Sequence, residues 1–348
     1  MVAARDAQQW VKDGGLHGIG DSLFTPFSGR DGDDIDWDAY RTLVRYCIGD
    51  LGHNMLWLTS GCAEWWALTL DERKRLLEVA VEEARAINPD VVIQACTTAE
   101  CAKDVAELTL HAQEHGADIA FIQTPTMEVH GGEGVQRFFQ YVADRTDIAL
   151  GMFNSNSSGY VMSGDEMAQV ANAIPAVVAV KEGVMDSVVN TTVLHALAPQ
   201  VAIWECDTLV YEAGWLEQGI VCSGQLGNIA WLYESADNKW FTMYWELIWE
   251  GKLAEARAHR GANVGGMPLS AKFGEYPGRP GYLTHWGEVV KVAASTLGLP
   301  VGDYPFSRPP QARLGDAGRK EIADLFVAAG LEGKALTSSA VTGMLSNA

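Results

Sequence analysis

One pattern along this 348-residue chain leaves few folds open to it: strand-like and helix-like segments alternate, in order, eight times. Residues 16–27, 54–61, 90–98, 117–125, 148–154, 176–183, 201–207 and 219–224 read as strands. Several are near-continuous apolar runs, which is how strands of a parallel sheet, buried on both faces, are written. Between them, residues 36–52, 69–87, 99–116, 134–146, 164–174, 187–198 and 209–219 carry helical spacing, with Thr69 as an N-cap and acids in the first turn after it. Eight such units predict a (β/α)8 TIM barrel over residues 16–227. An open doubly wound sheet is the competing α/β arrangement, but no GxGxxG follows the first strand. Residues 228–260 and the segments 285–298 and 318–331 read as helices around a Gly- and Pro-rich loop at 261–285. They predict a helical extension over 228–333, ending in a frayed, flexible tail over 334–348.

The formal net charge is −20, and the 25 Lys and Arg are scattered, so a nucleic-acid surface is not expected. No apolar run approaches the roughly 18 residues of a membrane span, and residues 1–15 lack a signal-peptide core. A cytoplasmic protein with no membrane partner is expected. The six cysteines (Cys47, Cys62, Cys96, Cys101, Cys206 and Cys222) form no CxxC pair, and no Cys/His cluster with zinc spacing is picked out. No metal site is therefore expected, and most of these cysteines read as small buried side chains.

The sixth strand, "AVVAVKEG", is built for a core yet ends on Lys181. In a barrel of this kind chemistry sits at the C-terminal ends of the strands. An apolar surround disfavours an ammonium group, and a neutral amine can attack a ketone to form a Schiff base. The bland alternative is a lysine at a strand terminus paired with Glu182.

The ordered set of motifs resembles the dihydrodipicolinate synthase / N-acetylneuraminate lyase superfamily of pyruvate-type class I aldolases. "VVAVKEG" is similar to its Schiff-base strand and "LFTPF" (23–27) to its first strand. "SGCAEWWALTLDERKRLLE" (60–78) is similar to its carboxylate-binding loop and following helix, with Glu64, Leu68, Asp71 and Glu72 in register. "GMFN" (151–154), "GIVCSGQLGN" (219–228) and "RPP" (308–310) resemble later landmarks, so the likeness runs over residues 16–330. The resemblance implies that Lys181 forms an imine with a 2-oxo acid. It also implies that Ser60, Gly61 and Cys62 hold the substrate carboxylate, that Ile220 lines the pocket and that Asn154 lies near the reacting carbon. A homodimer or homotetramer is implied as well.

The departures are equally specific. The family's relay tyrosine falls on Phe153, which carries no proton, and its tyrosine pair after strand four falls on Thr126 and Met127. No arginine stands in "SNSSGY" (155–160), where the synthase binds a second carboxylate. These changes argue against a true dihydrodipicolinate synthase. Tyr160, His130, Cys62, Glu64 or a water held by Asn154 and Ser155 are the candidate proton carriers. Each has a structural alternative: loop orientation for Glu64, an exposed loop for His130, a subunit contact for Tyr160, a pocket wall for Cys62. The 12 tryptophans, Trp65, Trp66 and Trp204 among them, fit an aromatic pocket or core and interface packing. The expectation is a Schiff-base-forming lyase, an aldolase or hydro-lyase, acting on a pyruvate-like 2-oxo acid and possibly an aldehyde, by imine chemistry that needs no cofactor. The alternative is a catalytically altered or non-catalytic 2-oxo-acid-binding homologue.

Overall fold

The computed structural model describes residues 1–125, 131–156, 159–184, 187–205, 229–263, 269 and 286–347. Seven parallel strands pair in chain order: β1 (Gly20–Ser22), β2 (Met55–Leu58), β3 (Val92–Cys96), β4 (Ile119–Gln123), β5 (Ala149–Ser155), β6 (Val177–Gly183) and β7 (Ala202–Glu205). Parallel neighbours need crossovers, and these are supplied by α2 (Trp37–Arg45), α3 (Leu70–Ile87), α4 (Ala102–Glu114), α5 (Gly131–Ala143), α6 (Gly164–Ala173) and α7 (Ser187–Leu197). The sheet curls into a TIM barrel with a helical C-terminal extension. The expected helix 209–219 and eighth strand 219–224 lie outside the described residues.

Local chemistry accounts for the helix starts. Thr69 and Glu72 form a capping box, each side chain accepting from the other's backbone N–H. Ser163 and Glu166 repeat it at α6. The helix expected over 36–52 is broken: α2 stops at Arg45 and a π-turn, Tyr46–Asp50, carries the chain into β2.

Two apolar cores result. One lies between sheet and helices. The other fills the barrel with Trp57, Phe121, Phe153, Val178, Ala179 and Trp204. Gly151 makes room for it, since a Cβ there would stand 2.5 Å from the Phe121 ring. A short N-terminal helix that the sequence pattern did not show, α1 (Ala7–Lys12), inserts Ala7 and Val11 into this inner core. The terminal ammonium meets Asp118 at 2.6 Å, and Ala149 N–H donates to Val2 O at 3.0 Å.

The extension runs through α8 (Trp240–Trp249), α9 (Leu253–Ala262), α10 (Trp286–Leu297), α11 (Asp316–Ala328) and α12 (Ser339–Asn347). The last of these lies in the segment where a frayed tail was expected. Asp50 accepts from Ser339 N–H and Ala340 N–H, each at 3.1 Å, so an acid from the barrel neutralises the orphan donors of the helix start. A buried histidine ties the extension to the first strand. His53 Nδ1 is 2.5 Å from Asp21 on β1, and Nε2 is 2.8 Å from Glu234. No helix among the described residues is long and apolar enough to cross a membrane.

Candidate active site

Lys181 is 3% exposed, on β6, with Phe153 and Trp204 as its register partners on the flanking strands. Its inward aim depends on an irregularity one turn of the pleat earlier. The β5–β6 register runs Leu150 to Val177 and then Gly151 to Ala179, which leaves Val178 as an extra residue. Val178 and Ala179 therefore both face the inner core, whereas Val177 and Val180 face the helices. Strict alternation from Val178 would send Lys181 outward; the bulge shifts the phase by one and turns it inward.

Inside, the amine is surrounded by rings. Nζ lies 4.3 Å from the Phe153 centroid, 4.7 Å from Trp57 and 5.6 Å from Trp204. Trp57 packs edge-on against Trp204 at 4.9 Å and Phe153 at 5.1 Å. The indole N–H groups of Trp57 and Trp204 are buried with no acceptor among the described residues. Buried donors are normally satisfied by protein, water or ligand. Trp204 was among the tryptophans read as aromatic pocket or packing. Trp57 was not singled out, although its place opposite Ser22 in the β1–β2 register marks it.

The turn after β2 stands beside this chamber. Thr59 and Glu64 both adopt left-handed backbone, φ 53° and 59°, and bracket Ser60–Ala63. Such conformations cost of order 1–2 kcal/mol in non-glycine residues and persist where surroundings hold them. The turn bonds Ala63 N–H to Ser60 O and Glu64 N–H to Gly61 O, which leaves the Gly61 and Cys62 amides out of its own pairing. Ser60 and Ser22 hydroxyls share a short hydrogen bond. Trp286 Nε1 donates to Cys62 Sγ at 3.1 Å. Burial pushes the Cys62 thiol up, while hydrogen bonding with Ser22 and Trp286 and the charge of Lys181 pull it the other way. Ser22, visible only as part of the first strand, is thus a member of the site that sequence reasoning missed, while Trp286 was among the tryptophans read as pocket or packing.

Glu64 is a framework residue. It is fully buried and meets Lys291 Nζ at 2.6 Å, while Gly287 packs so closely that a Cβ there would stand 2.5 Å from the Glu64 side chain. Arg308 of the "RPP" landmark reaches Glu72 at 2.8 Å. Asn154 is likewise buried on the outward phase of β5. Its amide brackets Met162, donating to the carbonyl and accepting from the N–H at 2.9 Å each, and donates to Glu182 at 3.1 Å. The bland pairing of Lys181 with Glu182 does not describe the geometry. Glu182 accepts from Asn154 and from the Gly183 and Val184 N–H groups, on the opposite side of the strand.

Tyr160 was a candidate proton carrier. Its hydroxyl donates to Glu166, the capping-box acid of α6, and that bond holds the phenol above its ordinary value. This commits the hydroxyl to a helix start. Trp65 lies 5.5 Å from the Arg73 guanidinium, and Trp66 is about a third exposed beside it. Ile220, His130, Thr126 and Met127 lie outside the described residues.

Residues 15–329 match the model of the Dihydrodipicolinate synthetase family. An uncharacterized DapA-like lyase of Pyrobaculum islandicum is 26% identical over 330 residues, 91% of this chain and 99% of that protein. A 4-hydroxy-tetrahydrodipicolinate synthase of Thermotoga neapolitana is 29% identical over 182 residues, 51% of this chain and 60% of the synthase. For this and three further synthases the chain spans 49–60% of their length. Among solved structures, the dihydrodipicolinate synthase of Aquifex aeolicus superposes with a TM-score of 0.73 at 21% identity, covering 91% of this chain and 99% of that one. YagE of E. coli K12, described as a prophage protein in complex with pyruvate, gives 0.72 at 19% identity, covering 90% and 99%. The match to the family model covers most of the chain, and the chain belongs to the Dihydrodipicolinate synthetase family.

Proposed function

We propose that this protein is a Schiff-base-forming lyase that acts on a pyruvate-like 2-oxo acid through an imine on Lys181. The observation that carries this is the burial of Lys181 inside the barrel, amid Trp57, Phe153 and Trp204, with the Ser60–Cys62 turn alongside. The Lys181 amine adds to the C2 carbonyl and water leaves; the protonated imine then accepts the electron pair of the bond cleaved beside it, giving an enamine. The amides of Gly61 and Cys62, outside the turn's own pairing, hold the carboxylate. The indole donors of Trp57 and Trp204, without an acceptor among the described residues, offer hydrogen bonds to substrate oxygens. With Phe153 in place of a relay tyrosine, protons move through Cys62 and the linked hydroxyls of Ser22 and Ser60. Tyr160 supports α6 and takes no part in this transfer.

The reaction is aldol cleavage or the related dehydration of a 2-oxo acid, on a homo-oligomer, and the substrate is not that of a dihydrodipicolinate synthase. Support for a pyruvate-like ligand comes from the pyruvate complex of YagE. Incubation with pyruvate and borohydride, followed by intact mass and peptide mapping, tests the reading. A reduced adduct on Lys181 is expected. No adduct with pyruvate or several longer 2-oxo acids would remove it. A second reading, a 2-oxo-acid-binding homologue without turnover, is favoured by Phe153 alone, since that ring offers no proton.

A further inference from the structure

Two histidines on the outer face of the barrel have no place in this chemistry. His111 and His115 stand one turn apart on α4, and Glu78 on α3 faces them. Among the described residues, these three form a group whose ligand atoms all lie within 4.8 Å of one another. Glu78 Oε1 is 3.2 Å from His111 Nε2 and 4.0 Å from His115 Nε2. Four-coordinate zinc with bonds of about 2.0–2.1 Å separates its ligand atoms by roughly 3.3–3.4 Å, so small side-chain rotations suffice. The imidazoles are stacked, 3.9 Å between centroids and 21° between planes.

The surrounding bonds suit metal ligation. His115 Nδ1 lies 2.8 Å from His111 O, and as that carbonyl can only accept, the proton sits on Nδ1 and the Nε2 lone pair is left facing Glu78. Ligating histidines are commonly oriented through such a carbonyl. His111 Nε2 is buried beside Glu78 Oε1 without an aligned hydrogen bond among the described residues. Arg75 occupies the other Glu78 oxygen at 2.8 Å, and Lys74 is taken up by Glu107 at 2.5 Å. These partners leave Glu78 Oε1 as the oxygen turned to the histidines. The spacing His111-x3-His115 is legible in the sequence. Its third member, Glu78, is 33 residues away from His111 and is brought in by helix packing.

We propose that Glu78, His111 and His115 form a binding site for a divalent first-row metal of the zinc type, clamping α3 to α4 on the outside of the barrel. Two imidazoles and a carboxylate leave a fourth position for water.

The test uses the full chain, freed of metal, titrated with ZnCl2 by calorimetry and followed by thermal unfolding. One equivalent per chain and a rise in Tm are expected, because a ligand that binds the folded state stabilises it. His115→Ala and Glu78→Gln should each weaken binding by more than about tenfold. Cys101→Ser, which removes the exposed thiol at the start of α4, should leave it unchanged. Co2+ loading supplies a readout that needs no variant: a strong four-coordinate absorption band is expected. Absence of stoichiometric binding, retention of wild-type affinity in both ligand variants, or a weak six-coordinate cobalt spectrum would each overturn the proposal.

Discussion

Phe153 and Lys181 are register partners on adjacent strands, with the amine 4.3 Å from the ring centroid. A hydroxyl added to that ring would sit beside any imine formed on Lys181. We expect Phe153→Tyr to raise the rate of hydrogen–deuterium exchange at C3 of pyruvate by about 10²-fold if the wild type lacks a relay. An unchanged rate would show that the wild type already moves the proton by its own groups. The choice between the turnover and binding-only readings turns on that measurement.

Cys62 carries the next expectation. Its thiol is raised by burial yet feels the charge of Lys181. Cys62→Ala should lower the same exchange rate by about 10²-fold, whereas Cys62→Ser, which keeps a proton donor, should recover most of it. Pyruvate trapping by borohydride should survive in both. Equal rates in the two variants would assign Cys62 to the pocket wall.

The Glu64–Lys291 pair lies wholly out of water. Burial lowers Lys291 and the charge and hydrogen bond of Glu64 raise it, with a net downward shift. Lys291→Met alone leaves Glu64 buried and uncompensated, and should cost about 3–5 kcal/mol in urea unfolding. Adding Glu64→Gln to it should recover much of that loss. A single variant as stable as the wild type would mean that the turn after β2 does not depend on this pair.

His53 gives the chain a pH-dependent seam. Burial alone would lower it, but Asp21 and Glu234 outweigh that and raise it to about 10. Asp21 itself is pushed up by burial, and the adjacent Cys47 thiol is raised by the same cause and by Asp21. A histidine held above its ordinary value of about 6.5 stabilises the fold fully below that value. The contribution is then lost as pH rises through about 10. Denaturant midpoints should therefore fall between about pH 6.5 and 10. In His53→Gln the midpoint should be lower throughout and this slope flattened. A wild-type midpoint that holds steady across that range would contradict the charged state of His53.

Much of the architecture was written locally. The apolar runs at 90–98, 117–125 and 148–154, the Thr69 cap and the helical periodicity between strands depend on neighbours within a few residues, so one sequence displays them. The lysine at the end of "AVVAVKEG" was legible for the same reason. Other features needed the packed chain. Within a run of valine and alanine no polar residue marks the phase, so the extra residue at Val178, and with it the inward aim of Lys181, appears only when β6 is paired with β5. Glu64 meets Lys291, and Cys62 meets Trp286, across more than two hundred residues. The bond from the Tyr160 hydroxyl to the acid at the start of α6 likewise appears only in the folded chain. The α4 histidines were one turn apart on paper, but their carboxylate comes from the neighbouring helix. Local sequence determines which segments become strands and helices; which side chains meet is decided by register and packing, because the partners are distant in the chain.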